Sequence, residues 1–196
     1  MSVSVPQSTL TVEEYLGGEE SSQIRHEYLV GYVYAMTGAS DEHNTIAGNV
    51  FTRIRTHLRG GPCRAFISDM KVWVESMNRF YYPDVLVTCD AQDSDRYYKT
   101  HPSLIIEVSS PNTAQTDRRE KWLAYQTLDS LREYVLIAQD KMSVVCFRRD
   151  EAGRWWEDTI HPSDSVNLAS VGLRISVAEI YEDVRLDLSG IEKEGP

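Results

Sequence analysis

The sequence has no uninterrupted apolar run of about 18 residues, the length that reads as a membrane-crossing helix. Its first residues, MSVSVPQSTL, lack the basic start and apolar middle of a secretory signal. Both absences make a soluble, cytoplasmic protein with no membrane partner the expectation. Cysteine is scarce: Cys63, Cys89 and Cys146 stand far apart with no CxxC pair, so neither a disulfide framework nor a thiolate zinc site is expected. All three read as small buried hydrophobes. Positive charge is also short. A formal net charge of −10 argues against a protein that coats nucleic acid by bulk electrostatics, because phosphate neutralisation needs local Lys and Arg. Two local basic clusters remain, Arg53, Arg55, His57, Arg59 and Arg64, then Arg118, Arg119 and Lys121; solvated helix faces and phosphate contact both account for them.

Neither a repeat nor a linker interrupts the chain. With 196 residues, 41% of them hydrophobic and 26% charged, it suits one domain over 1–196, with a loose arm at 1–10 and a polar tail at 182–196. Thr11 before VEEYL reads as the cap of a short helix that ends at Gly17-Gly18. IRHEYLVGYVYAM, residues 24–36, is aromatic and β-branched with Gly31 inside, which predicts a hairpin. Ile46, Val50, Ile54 and Leu58 recur at helical spacing between a capping Ser40 and Gly60-Gly61. Strands are predicted at 64–75, 80–88, 103–110 and 133–139, and a hairpin at 142–160 around Asp150–Gly153. A helix through about Leu128 follows Pro111-Asn112-Thr113, and Leu173–Tyr181 adds one edge element. The fold class is α/β, an α+β mixed sheet with flanking helices and additional β-hairpins.

Two carboxylates break apolar strands. In YYPDVLV, alternation puts Tyr82, Asp84 and Leu86 on one face. In LIIEVSS, Glu107 interrupts a run that otherwise reads as a strand buried on both faces. A buried carboxylate without a partner raises its pKa or destabilises the fold, so a cation, a basic side chain or a watery cleft must lie opposite. Two of them on neighbouring strands repel, and a divalent ion is the simplest way to keep both ionised. Mg²⁺, for which Mn²⁺ could substitute, suits such oxygen ligands; Asp84 and Glu107 are the predicted metal ligands, with the Val108 carbonyl as a third. Lys121 lies on the next helix in one strip with Asp117 and Tyr125. Its ammonium could return to the metal site, orient the attacking water and offset transition-state charge.

The segments YYPDVLV, LIIEVSSPNT, DRREKWLAY and REYVLI, in that order, resemble the Uma-type restriction endonuclease family, a branch of the PD-(D/E)XK nuclease superfamily. HEYLVGYVYAMTGASDEHN is similar to the family's amino-terminal Glu-containing hairpin and the His at the start of its helix. The resemblance runs from about Thr11 to Tyr181 and implies a restriction-endonuclease-like core, Mg²⁺-dependent cleavage of DNA and a homodimer. Asp84 matches the motif's Asp, Glu107 its (D/E) and Val108 its variable position. Ser109 stands where the superfamily has Lys, and the family's relocation of that Lys to the helix fits Lys121, with Arg118 and Arg119 as alternatives.

Glu27 matches a recurrent Glu of the family and is a candidate catalytic residue, either completing the cation shell or remaining a surface carboxylate. His43 is either a phosphate donor or a structural cap. Asp69 is expected to pair with Lys71 or Arg64, and Tyr125 to pack. The function expected is a metal-dependent DNA endonuclease that hydrolyses phosphodiester bonds; the alternative is a nuclease-derived binding or assembly module. Self-association is expected through a surface away from the cleft, by the aromatic hairpins at Tyr28–Tyr34 and Trp155-Trp156.

Overall fold

The structure is a computed structural model that describes residues 9–110 and 117–186; the side chains of Asp117 and Arg118 are outside this set. Three sheets carry the described residues. The central one has six strands in the order Trp155–Ile160, Val144–Arg149, Glu133–Ala138, Pro102–Ser109, Val85–Thr88, Arg64–Ile67; the second has five in the order Tyr32–Ala35, His26–Leu29, Arg79–Tyr81, Lys71–Val74, Tyr98–Lys99; and Ser165–Leu168 pairs with Leu173–Ser176 in a third. The fold is mixed α/β, but it divides its strands where the sequence pattern suggested one sheet.

Helix α1 (Val12–Ser21) begins in a capping box between Thr11 and Glu14. Strands β1 (His26–Leu29) and β2 (Tyr32–Ala35) follow as the predicted hairpin. Val30 and Gly31 both take positive φ, the two-residue turn whose twist suits a hairpin. Residues 1–8 of the expected arm lie outside the described residues, and Leu10 is tied to the domain: the Leu10 N–H donates to the Gly31 carbonyl at 2.9 Å and the Tyr28 hydroxyl donates to the Leu10 carbonyl at 3.0 Å. Helix α2 (Asp41–His57) starts at Ser40, whose hydroxyl accepts the His43 N–H.

The predicted strand 64–75 is two strands in different sheets, β3 (Arg64–Ile67) and β4 (Lys71–Val74). Ser68 takes φ 54° and turns the chain, its N–H donating to the Asp84 carbonyl at 3.0 Å. Likewise 80–88 divides into β5 (Arg79–Tyr81) and β6 (Val85–Thr88). Pro83 lies in the gap with no N–H to offer a ladder. The stretch after Thr88, which shows no hydrophobic pattern, contains the two-residue β7 (Tyr98–Lys99).

Strand β8 (Pro102–Ser109) is central, antiparallel to β6 and parallel to β9 (Glu133–Ala138). Its alternation divides the core. Leu104, Ile106 and Val108 join Val85 and Val87 against Ile46, Val50 and Ile54 of α2. Ile105 and Leu86 face the other way, with Val72, Val74 and Tyr81 of the second sheet. Between β8 and β9, a π-helical turn (Asp117–Lys121) leads into the short α3 (Trp122–Tyr125). The predicted second hairpin is β10 (Val144–Arg149) with β11 (Trp155–Ile160). The single edge element expected at 173–181 is β13 (Leu173–Ser176) plus α4 (Val177–Ile180), paired with the unforeseen β12 (Ser165–Leu168). The start of the polar tail packs: Val184 and Leu186 rest against the core, and Asn49 donates to the Glu182 carbonyl at 2.8 Å.

Cys63 and Cys89 form a disulfide, contrary to expectation. The reason is register. Arg64 pairs with Thr88 between β3 and β6, so one step further the two cysteines stand opposite each other, with Cα atoms 4.0 Å apart. Cys146 is the buried small hydrophobe expected, its thiol pushed up to about 12 by burial.

Candidate active site

Asp84 and Glu107 stand at the same end of neighbouring strands. Val85 pairs with Ile106, so in the same register Asp84, one residue before β6, lies opposite Glu107. Asp84 Oδ2 accepts the Val108 N–H at 2.7 Å and lies 3.2 Å from His43 Nε2. The capped start of α2 thus delivers an imidazole to this strand end.

Glu107 falls on the β8 face that meets α3 and is 4% exposed. Its Oε1 accepts from Lys121 Nζ at 3.2 Å and from the Tyr125 hydroxyl at 3.0 Å. The i,i+4 spacing of Lys121 and Tyr125 therefore aims both side chains at one carboxylate. Tyr125 also packs, edge-on to Tyr81 and Tyr134. Burial first, then the Glu107 charge, holds its hydroxyl protonated by raising its pKa well above the usual tyrosine value. The second sheet supplies Glu27 from β1, whose Oε1 lies 3.1 Å from Lys121 Nζ. Lys121 is only 8% exposed, between two carboxylates and 5.8 Å from the centre of the Tyr81 ring.

Five sequence-predicted residues are thus brought together: Asp84, Val108, Glu107, Lys121 and Glu27. His43 and Tyr125, left open or assigned to packing, join them. Asp69 does not. It lies in the bend after β3 and pairs with Arg25 at 3.4 Å rather than with Lys71 or Arg64. Arg119 is exposed. Of the basic cluster at 53–64, Arg53, Arg55 and His57 lie towards the other end of α2, about 15 to 21 Å along the axis from His43 at the helical rise per residue, and Arg53 is engaged by Glu179 at 3.3 Å.

Sequence reasoning missed a second polar cluster behind the Glu27 hairpin. Glu19 of α1 is 7% exposed and accepts from the Tyr82 hydroxyl at 2.6 Å and from His26, whose Nδ1 is 2.8 Å away. Burial alone would raise its pKa, but those hydrogen bonds outweigh it and hold the carboxyl below the ordinary value. The cluster ties α1 to β1 and to the residue before Pro83, fixing the strands that carry Glu27 and Asp84. The available signal was Glu19 itself, seven residues before His26, but nothing local showed that Tyr82 would close on it.

With carboxylates counted −1 and Lys121 +1, the sum over Asp84, Glu107, Glu27 and Lys121 is −2. Among the described residues, no group of three or more His, Cys, Asp or Glu is arranged to hold a metal ion. The donor set is nevertheless oxygen: two carboxylates on adjacent strands and a peptide carbonyl, which fits a hard divalent cation that takes one or two carboxylates and leaves the rest of its shell to water and phosphate.

The mixed α/β fold that carries these residues is nuclease-like. The chain is similar to a crystal structure described as "a putative nuclease belonging to DUF820" from Anabaena variabilis, with a TM-score of 0.70 over 88% of this chain and 97% of that one at 18% identity. It belongs to the Uma2 family, described as "Putative restriction endonuclease", whose model matches residues 12–178. Two relatives from a Synechocystis strain are similar in sequence. The uncharacterized protein slr1290 is 35% identical over 92% of this chain and 95% of its own length. The uncharacterized protein sll1609 is 34% identical over 66% of this chain and 75% of its own. No helix among the described residues is long and apolar enough to cross a membrane.

Proposed function

We propose that this protein is a metal-dependent DNA endonuclease, working in the cytoplasm, that hydrolyses phosphodiester bonds at a PD-(D/E)XK-type site with its Lys moved to the following helix. The observation that carries the reading is the Lys121 ammonium, 3.2 Å from Glu107 and 3.1 Å from Glu27 beside the strand end that bears Asp84. Asp84, Glu107 and the Val108 carbonyl would hold Mg²⁺, or Mn²⁺ in its place, which when bound supplies Lewis acidity and lowers the pKa of water. The chain's own groups do the rest. Lys121 orients the attacking water and balances charge building on the phosphoryl oxygens. Glu27 keeps that ammonium in place from the second sheet. Tyr125 and the Val108 N–H fix the rotamers of Glu107 and Asp84, so that neither carboxylate has to reorganise during the reaction.

Supercoiled plasmid nicked with Mg²⁺ or Mn²⁺ and intact with EDTA is the expected result; no nicking with either ion, at any protein concentration up to micromolar, overturns the reading. The −10 net charge favours a second one, a nuclease-derived assembly module, which the same assay separates because that module leaves plasmid intact.

The proposal includes a homodimer. Of the aromatics expected to mediate it, Tyr28 is 1% exposed and Trp155 lies edge-on to Trp122, so neither offers a surface. Trp156 is 48% exposed on β11, the outer strand of the six-stranded sheet and a ready edge for a second copy. Light scattering that gives a dimer for the wild type and a monomer for Trp156→Lys supports this assignment; a wild-type monomer at micromolar concentration removes it.

A further inference from the structure

Among the described residues the five-stranded sheet ends on β2, which pairs there with β1 alone. All four residues of β2 are exposed, and Tyr32 and Tyr34 keep 48% and 53% of their surface. Directly opposed residues of an antiparallel pair share a face. The register sets Tyr34 opposite Glu27 and Tyr32 opposite Leu29. On this face Glu27 meets Lys121 at 3.1 Å and Leu29 packs on the core between the sheets. Tyr28, on the other face, is closed into a cluster with Tyr15 and Phe80. Both faces of β2 reach solvent, and the site face does so as two tyrosine residues about 7 Å apart along the strand.

These rings contribute little to the core, and an exposed aromatic edge is a liability unless something uses it. Their place on the face of Glu27 and Lys121 indicates what. A chain of net charge −10 gains little affinity from counterion release along DNA, so contacts that do not depend on that release weigh more. Stacking of a base on an aromatic ring is one, and it accepts every base, provided the base is not already held in a duplex stack.

We propose that Tyr34, supported by Tyr32, is a platform on which an unpaired base of a DNA strand stacks beside the cleavage site, so that single-stranded, flapped or looped DNA is the preferred substrate. The proposal rests on the nuclease reading and deepens it. Tyr34 acts as a positioning residue: Glu27 and Lys121 stand between it and the strand end that bears Asp84, and its ring sets the nucleotide that flanks the scissile phosphate.

The test is fluorescence anisotropy of a labelled oligothymidylate of about 20 nucleotides, and of a duplex of equal length, on the full-length protein with Ca²⁺ in place of Mg²⁺. Tyr34→Ala is expected to weaken oligothymidylate binding about 10-fold, within the range measured for loss of one base–aromatic stack, and to reduce the preference over duplex in proportion. Tyr34→Phe and Tyr34→Trp keep wild-type affinity, because the ring rather than the hydroxyl makes the contact. Unchanged affinity in Tyr34→Ala, no rescue by Phe, or a wild type that prefers duplex each overturns the proposal. So does light scattering that shows a wild-type dimer and a Tyr34→Ala monomer, which would make the β2 edge a contact between copies. The two readings fail separately. Tyr34-dependent binding without cleavage of any DNA in Mg²⁺ or Mn²⁺ removes the hydrolysis and leaves the platform, whereas plasmid cleavage with Tyr34-independent binding does the reverse.

Discussion

Asp84→Asn is expected to fold and to lose both its divalent cation and its turnover. The choice of Asn follows from the contacts. Asp84 Oδ2 accepts the Val108 N–H at 2.7 Å, and Val108 is 4% exposed, so Asp84→Ala would leave a buried donor unsatisfied at a cost of about 1–3 kcal/mol. An Asn amide oxygen accepts the same N–H. What Asn removes is the charge, and with it one of the two anionic ligands that make the site attractive to a hard cation. Calorimetric titration with Mn²⁺ should show binding collapse, and plasmid nicking should fall on the order of 1,000-fold, at least the loss seen when one preorganised electrostatic group is deleted. The melting temperature without metal should change little. An Asp84→Asn protein that binds Mn²⁺ as tightly as the wild type would remove Asp84 from the ligand set.

The sequence revealed this site through residues whose type contradicted their surroundings. A Glu inside LIIEVSS needs a partner wherever the strand is buried, and helical spacing alone put Lys121 and Tyr125 on one strip; both donate to Glu107. The caps at Thr11 and Ser40 and the turn at Val30-Gly31 were legible for a related reason, being set by chemistry within three or four residues. What stayed hidden depends on strand register and on breaks in the chain. Pro83 marks a break within 80–88, but nothing local says that its two halves, or those of 64–75, join different sheets. Without the β3–β6 pairing, Cys63 and Cys89 are simply distant thiols. The imidazole of His43 meets Asp84, 41 positions later, only because α2 begins beside the start of β6, and the hydroxyl of Tyr82 reaches Glu19 only because Pro83 stops the strand there.

A lysine on an exposed helix face can be removed at little cost to folding, but Lys121 is buried to 8% exposure between Glu27 and Glu107. A buried ion pair that loses one partner leaves the other charge uncompensated. The same substitution therefore tests the chemistry and the fold together, and the two must be read apart.

Lys121→Ala is expected to cut plasmid about 100- to 1,000-fold more slowly than the wild type while binding Mn²⁺ at least as tightly, because the lysine is no ligand and its loss makes the site more negative. Without metal the variant should be less stable by on the order of 3 kcal/mol, since Glu107 and Glu27 lose the cation between them, and added Mn²⁺ should restore much of that by binding the folded state. Lys121→Arg separates the two roles. A guanidinium keeps the charge near both carboxylates and should recover most of the lost stability, but its planar, delocalised head cannot take the place of a compact ammonium beside an attacking water, so turnover should stay low. Thermal melts with and without Mn²⁺, set beside nicking rates, distinguish the outcomes. If Lys121→Arg recovers activity along with stability, the site needs only a positive charge there. A Lys121→Ala protein that cuts at the wild-type rate instead refutes the assignment and directs the same experiment to Arg119, which stands exposed two residues earlier.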